Sequence, residues 1–90
     1  MDCIWDLAKG RANLKKHGVD FADVVIALED PLAVTMQDPA SENEDRYISL
    51  GEDAFGMLLV TVFTHRGKSV RIISSRKATP RERRRYENEA

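Results

Sequence analysis

Very little in this 90-residue chain could hold a metal ion or form a covalent intermediate. It has one cysteine, Cys3, and two histidines, His17 and His65, far apart in sequence. A single cysteine excludes an internal disulfide and fits a reducing cytoplasm, which is the expected location. With no close cationic neighbour in sequence, Cys3 reads as a buried, inert thiol rather than a nucleophile. Neither D-x-D-x-D-G nor H-E-x-x-H spacing occurs, and there is no Gly-rich phosphate loop and no serine elbow. No metal and no cofactor is therefore expected. The acidic group Glu42, Glu44 and Asp45 could catch a divalent ion, but it also reads as a solvated loop. No apolar run approaches the roughly 20 residues that span a bilayer, and the start of the chain lacks a signal-peptide pattern. The expectation is one domain over residues 1–90, with a small core and a need for a partner or self-association.

What the chain does have is charge, unevenly placed. From Arg66 onward there are nine basic residues against three acidic ones, whereas the preceding segment has five basic and twelve acidic. The formal net charge of −1 thus conceals a strongly polar molecule. Arginine binds phosphate through a planar fork of donors and stays charged at any relevant pH. An excess of arginine at one end of a near-neutral chain suits an anionic polymer, which makes nucleic acid the first candidate partner.

The patterning predicts an α+β fold. Cys3-Ile4-Trp5 reads as a short strand. Asp6 caps a polar helix over 7–17, with Leu7 and Leu14 on one face and Gly18 as its stop. Asp20 caps a second helix whose Phe21, Val24, Val25 and Leu28 recur at i, i+3, i+4 and i+7. Asp30-Pro31 ends it. Strands are expected over Ala33–Met36, Arg46–Leu50, Met57–Thr64 and Val70–Ser74. Gln37–Asp45 reads as a loop, and Gly51–Gly56 and His65–Lys68 as turns. Thr79-Pro80-Arg81-Glu82 starts a last helix with Thr at N-cap, Pro at N1 and Glu at N3. That gives β-α-α-β-β-β-β-α, a two-layer arrangement with two helices on one face of a mostly antiparallel sheet and the other face partly open. The last helix has almost no apolar stripe, with Ala78 and Tyr86 as its only docking points.

Arg66, Arg71 and Arg76 fall on adjacent strands, and Arg46 joins them from a neighbour. By simple alternation Arg71 and Arg76 point to opposite faces, unless Arg76 already lies in a turn. Arginines gathered on a sheet are what metal-free RNA cleavage requires. There a 2′-hydroxyl attacks the adjacent phosphorus, and the added negative charge of the transition state needs fixed cations. A general acid and base would help, and His65, His17 and Tyr47 have the chemistry; the pattern does not choose among them. The plainer reading gives each arginine a carboxylate partner and makes His17 a cation at a helix C-terminus. Tyr and Trp could also stack on splayed bases.

The motifs themselves resemble the BrnT family. They are W-D-x-x-K at Trp5–Lys9, N-x-x-K-H-G-V at Asn13–Val19 with Phe21, and Glu29-Asp30-Pro31. An acidic residue and Arg46 then precede I-x-L-G at Ile48–Gly51. V-x-T-x-R at Val62–Arg66, R-I-I-S-x-R at Arg71–Arg76 and E-R-x-x-Y-E at Glu82–Glu87 complete the series. One departure is Ser75, where the family commonly has a small residue such as Ala. The resemblance implies a fold like that of RelE ribonucleases and a toxin of a type II toxin–antitoxin module. Such a toxin cleaves RNA and arrests translation. It is neutralised by a BrnA-like antitoxin with a ribbon-helix-helix DNA-binding domain, in a 2:2 complex that reaches operator DNA only through the antitoxin. It further implies phosphate and transition-state contacts for Arg66, Arg71 and Arg76, joined by Arg46 and Glu44. Lys77, Arg81, Arg84 and Arg85 are the expected RNA-binding residues around them. The alternative is a non-catalytic module of the same fold that only forms the autorepressor complex.

Overall fold

The computed structural model describes residues 1–42 and 44–89. The chain runs β1 (Cys3–Ile4), α1 (Leu7–His17), α2 (Phe21–Leu28), β2 (Val34–Gln37), β3 (Arg46–Glu52), β4 (Leu58–Arg66), β5 (Ser69–Lys77) and α3 (Pro80–Glu89). The five strands form one sheet in the order β1-β5-β4-β3-β2. All neighbours are antiparallel except β1, which pairs parallel with β5 through Cys3↔Val70 and Ile4↔Arg71. The α+β class and the predicted element order both hold.

Local chemistry explains the helix ends. Asp6 accepts from the Lys9 N–H at 3.0 Å, and Gly18 closes α1 with φ 71°, a conformation that costs glycine nothing. Asp20 caps α2 through the Ala22 N–H. In α3 the expected capping box forms in both directions. The Thr79 hydroxyl accepts from the Glu82 N–H at 3.2 Å, and the Glu82 carboxylate accepts from the Thr79 N–H at 2.9 Å.

The sheet has two differently covered faces. α2 brings Phe21, Val24 and Ala27 onto Leu59 and Ile72, with Val19 alongside and Trp5 and Leu28 packed at the margin. Burying a side chain such as Phe21 (1% exposed) contributes roughly 1.5–3 kcal/mol. Residues that alternate with these on β4, Leu58 and Val60, point the other way and meet Leu50 and Tyr86. Tyr86 comes from α3, so α3 covers one end of the second face and leaves the rest open. β4 is buried from Leu58 to Thr64 apart from half-buried Val62, as its apolar run predicted.

One of the expected turns needs correcting. Gly51 and Glu52 belong to β3 rather than to a turn. A Cβ on Gly51 would lie 2.1 Å from the Ala27 carbonyl oxygen, so glycine is there for the close approach of α2 to the sheet. On α1, Leu7 and Leu14 are both exposed, and the buried residue of that helix is Asn13.

Candidate functional site

Alternation along β5 does not run unbroken. Val62 pairs with Ser74, but Phe63 pairs with Ile72, so Ile73 is an extra residue in a β-bulge. Cross-strand partners share a face, and Arg76 pairs with Val60 while Arg71 pairs with Thr64. Val60 and Thr64 are an even number of residues apart on β4. Arg71 and Arg76 therefore lie on the same face, against the alternation argument, with Arg76 fully inside the strand.

The register on β3 extends this face. Leu50–Val60–Arg76 form one row across the sheet, Ile48–Val62–Ser74 the next, and Arg46–Thr64–Arg71 the third. Arg66, paired with Ser69, follows at the end. The outer rows are four residues apart on β4, about 13 Å. Arginines thus stand at both ends of an apolar floor made by Ile48 and Val62. This is the open face, and the floor lies in a groove of about 380 Å³ with His17, Met36, Ser74, Arg76, Glu82 and Arg85 around it.

At one end of the groove, Arg76 donates through both terminal nitrogens to Glu82, at 2.8 and 2.9 Å. That fork, aided by the Thr79 N–H and opposed by partial burial, pulls the Glu82 carboxyl down to about 2 and holds Arg76 more firmly charged. At the other end, Glu44 accepts from Arg66 at 3.0 Å and from Arg46 at 3.4 Å. Thr64 between Arg46 and Arg71 donates its hydroxyl to the Asp45 carbonyl at 2.7 Å. Among the described residues, Arg71 makes no side-chain hydrogen bond or ion pair.

The other expected residues separate. Arg85 lines the groove, bonded to Glu89 at 3.0 Å and to the Met36 sulfur at 3.6 Å. Arg81 and Arg84 lie next to it, along a second depression on the surface of α3. Lys77 pairs with Leu59 and so belongs to the helix-covered face, at the strand end. Tyr47 pairs with Phe63, and His65 packs against both rings on that same face, with centroids at 5.3 and 5.8 Å. Of the three residues with acid–base chemistry, only His17 reaches the groove. It is the last residue of α1, and the packing of α1 against β5 brings it there.

Asp30 does structural work. Asp30 accepts from the Tyr86 hydroxyl at 2.6 Å and from the N–H of Glu52 and Leu32. Burial opposes its ionisation, but these three bonds together hold its carboxyl below the usual range. The same bond pushes the Tyr86 phenol up to about 12. The terminal helix is therefore fixed by two polar latches, Glu82 on Arg76 and Tyr86 on Asp30, besides the apolar seat of Tyr86 and Ala78. Among the described residues no group of three His, Cys, Asp or Glu side chains comes together as a metal site. Burial raises the Cys3 thiol above its ordinary value, consistent with an unreactive sulfur.

A family model described as "Ribonuclease toxin, BrnT, of type II toxin-antitoxin system" matches residues 5–82. The chain belongs to the BrnT family. Its structure is similar to the crystal structure of the Brucella abortus ribonuclease toxin BrnT, with 29% sequence identity and a TM-score of 0.65. The match covers 88% of this chain and 97% of the other. A comparison with curated proteins found no match. Membership of the BrnT family places the chain among type II toxins and implies an antitoxin partner. No helix in the described residues is long and apolar enough to cross a membrane.

Proposed function

We propose that this BrnT-family protein is a metal-independent endoribonuclease that arrests translation by cutting RNA on the open face of its sheet. The observation that carries this reading is the bulge at Ile73, which gathers Arg46, Arg71 and Arg76 on one uncovered face with His17 at its wall. A single RNA strand lies along the floor of Ile48 and Val62, its phosphates held by the arginines at either end. Arg81, Arg84 and Arg85 extend the cationic track along α3, and Lys77 sits behind it as a weaker contributor.

The chemistry follows from that placement. The 2′-oxygen attacks the adjacent phosphorus while its proton passes to His17. The bond from phosphorus to the 5′-oxygen breaks, and a proton returns to that oxygen. The products are a 2′,3′-cyclic phosphate and a 5′-hydroxyl. Fixed guanidinium groups stabilise the dianionic transition state without rearranging, which is the largest source of rate in such sites. Arg71 is ready for this role. Arg76, Arg46 and Arg66 exchange a carboxylate of Glu82 or Glu44 for phosphate oxygens as RNA arrives.

The whole of residues 1–90 acts as one domain in the cytoplasm. Its partner is a BrnA-like antitoxin with a ribbon-helix-helix domain, in a 2:2 complex that contacts operator DNA through the antitoxin alone. The ribonuclease description of the Brucella relative supports the activity. The test is purified protein with a short RNA in excess EDTA, followed by end-group analysis. Cleavage leaving 2′,3′-cyclic phosphate ends is the expected result; cleavage that EDTA abolishes would contradict the mechanism.

A further inference from the structure

The outer side of α1 carries an apolar stripe that the fold does not use. Leu7 is 70% exposed and Leu14 46% exposed, although they sit one heptad apart on the same side. Between them Gly10 lets the Trp5 indole come against the helix; a Cβ there would lie 3.2 Å from the ring. Leu7, Gly10, Leu14, Trp5 and Phe21 together line one shallow groove, with Arg11 and Asp20 at its sides. Leaving two leucines in water at this spacing forgoes burial that a facing helix would recover.

The charge around the stripe says what would cover it. α1 contains Lys9, Arg11, Lys15 and Lys16 and not one acidic residue. The nearby Asp6 and Asp20 keep their charge but are held as caps, accepting from the N–H of Lys9 and Ala22, so the four cations of α1 outnumber them. α1 also leads to the candidate active site. Three residues beyond Leu14 stands His17, at the wall of the groove on the open face. A segment lying along this stripe would run to the mouth of that groove.

We propose that the stripe of Leu7, Gly10 and Leu14 on α1, flanked by Arg11 and Lys15, is the docking surface for an acidic amphipathic helix of the antitoxin. The inference rests on the antitoxin partnership of the family and adds the surface and the chemistry of the segment. Leucines seat in the groove over Trp5, acidic residues pair with the flanking cations, and the end of the segment shades His17. Neutralisation and RNA cleavage then share one helix but use different residues of it.

The experiment is capture of this chain by its co-expressed, tagged antitoxin, with RNA cleavage in EDTA measured separately on the free protein. Leu7→Glu/Leu14→Glu should weaken capture at least about tenfold, as loss of central apolar anchors does. Arg11→Glu/Lys15→Glu should weaken it and flatten its dependence on salt. Ile26→Glu, on the exposed side of α2, should capture as the wild type does. Free Leu7→Glu/Leu14→Glu should keep its ribonuclease rate, since both residues are exposed and away from the groove. Undiminished capture by both double variants would overturn the proposal, as would a wild type that the antitoxin does not capture. Intact capture with lost RNA binding would assign the stripe to RNA instead. Loss of capture stands whether or not the protein cleaves RNA, so the two readings fail separately.

Discussion

The carboxamide of Asn13 takes the place of a missing strand beside Ser75. Its oxygen accepts from the Ser75 N–H at 3.0 Å and its nitrogen donates to the Ser75 carbonyl at 2.8 Å. The same nitrogen donates to the Val19 carbonyl at 3.1 Å, tying α1 and the start of α2 to β5. β1 pairs with β5 only at Val70 and Arg71, so the edge beyond needs another partner. Ser75 also meets the Thr61 hydroxyl at 3.0 Å beneath it. The side chain that closes this edge thus fixes the stretch of β5 from which Ser74 and Arg76 project into the groove.

Asn13→Ala should therefore cost about 2–3 kcal/mol, because it strands buried backbone groups at Ser75 and Val19. Urea unfolding of the wild type and variant measures it. Asn13→Asp should be as damaging or worse, since a carboxylate cannot donate to the two carbonyls.

α3 should come loose at both extremes of pH. Glu82 has its carboxyl lowered from 4.5 to about 2, so its contribution is complete above pH 4.5 and fades as pH falls toward 2. Tyr86 is raised from 10 to about 12, so its contribution is complete below pH 10 and fades as pH rises toward 12. The stability difference between wild type and Glu82→Gln should be constant through neutral pH and shrink toward pH 2. Tyrosine absorbance should show a phenol titrating near 12 that Tyr86→Phe removes.

Gly51→Ala should destabilise by about 2–3 kcal/mol, because the new methyl meets backbone at Ala27 that cannot step aside. Thermal unfolding checks it. A substitution without effect would mean that α2 does not sit as close to β3 as this contact requires.

Most of the architecture was legible in the sequence because it rests on local rules. Asp6, Asp20 and Thr79 are caps, Gly18 is a stop, and the apolar run into Thr64 is a central strand. The site was legible only in part. The five-residue spacing of Arg71 and Arg76 contradicts a shared face in any regular strand, and the bulge that reconciles them depends on pairing between β4 and β5. The same is true of His17, Tyr47 and His65. One lines the groove and two stack behind the sheet, a division set by the packing of α1 and by cross-strand register.

His17→Ala should lower the rate of RNA cleavage by about 10²–10⁴-fold while changing RNA affinity little, as removal of a proton-transfer group does. Single-turnover kinetics separate the two effects. An equal loss of affinity would make His17 a binding residue instead.

The most direct test is single-turnover cleavage of a short RNA by wild type and by an Arg71→Ala/Arg76→Ala variant, in EDTA, with circular dichroism confirming that both fold. The open arginine face requires the wild type to cut and the folded double variant to lose activity by at least about 10³-fold. Cleavage at equal rates by the two proteins would show that the chemistry takes place elsewhere on the molecule.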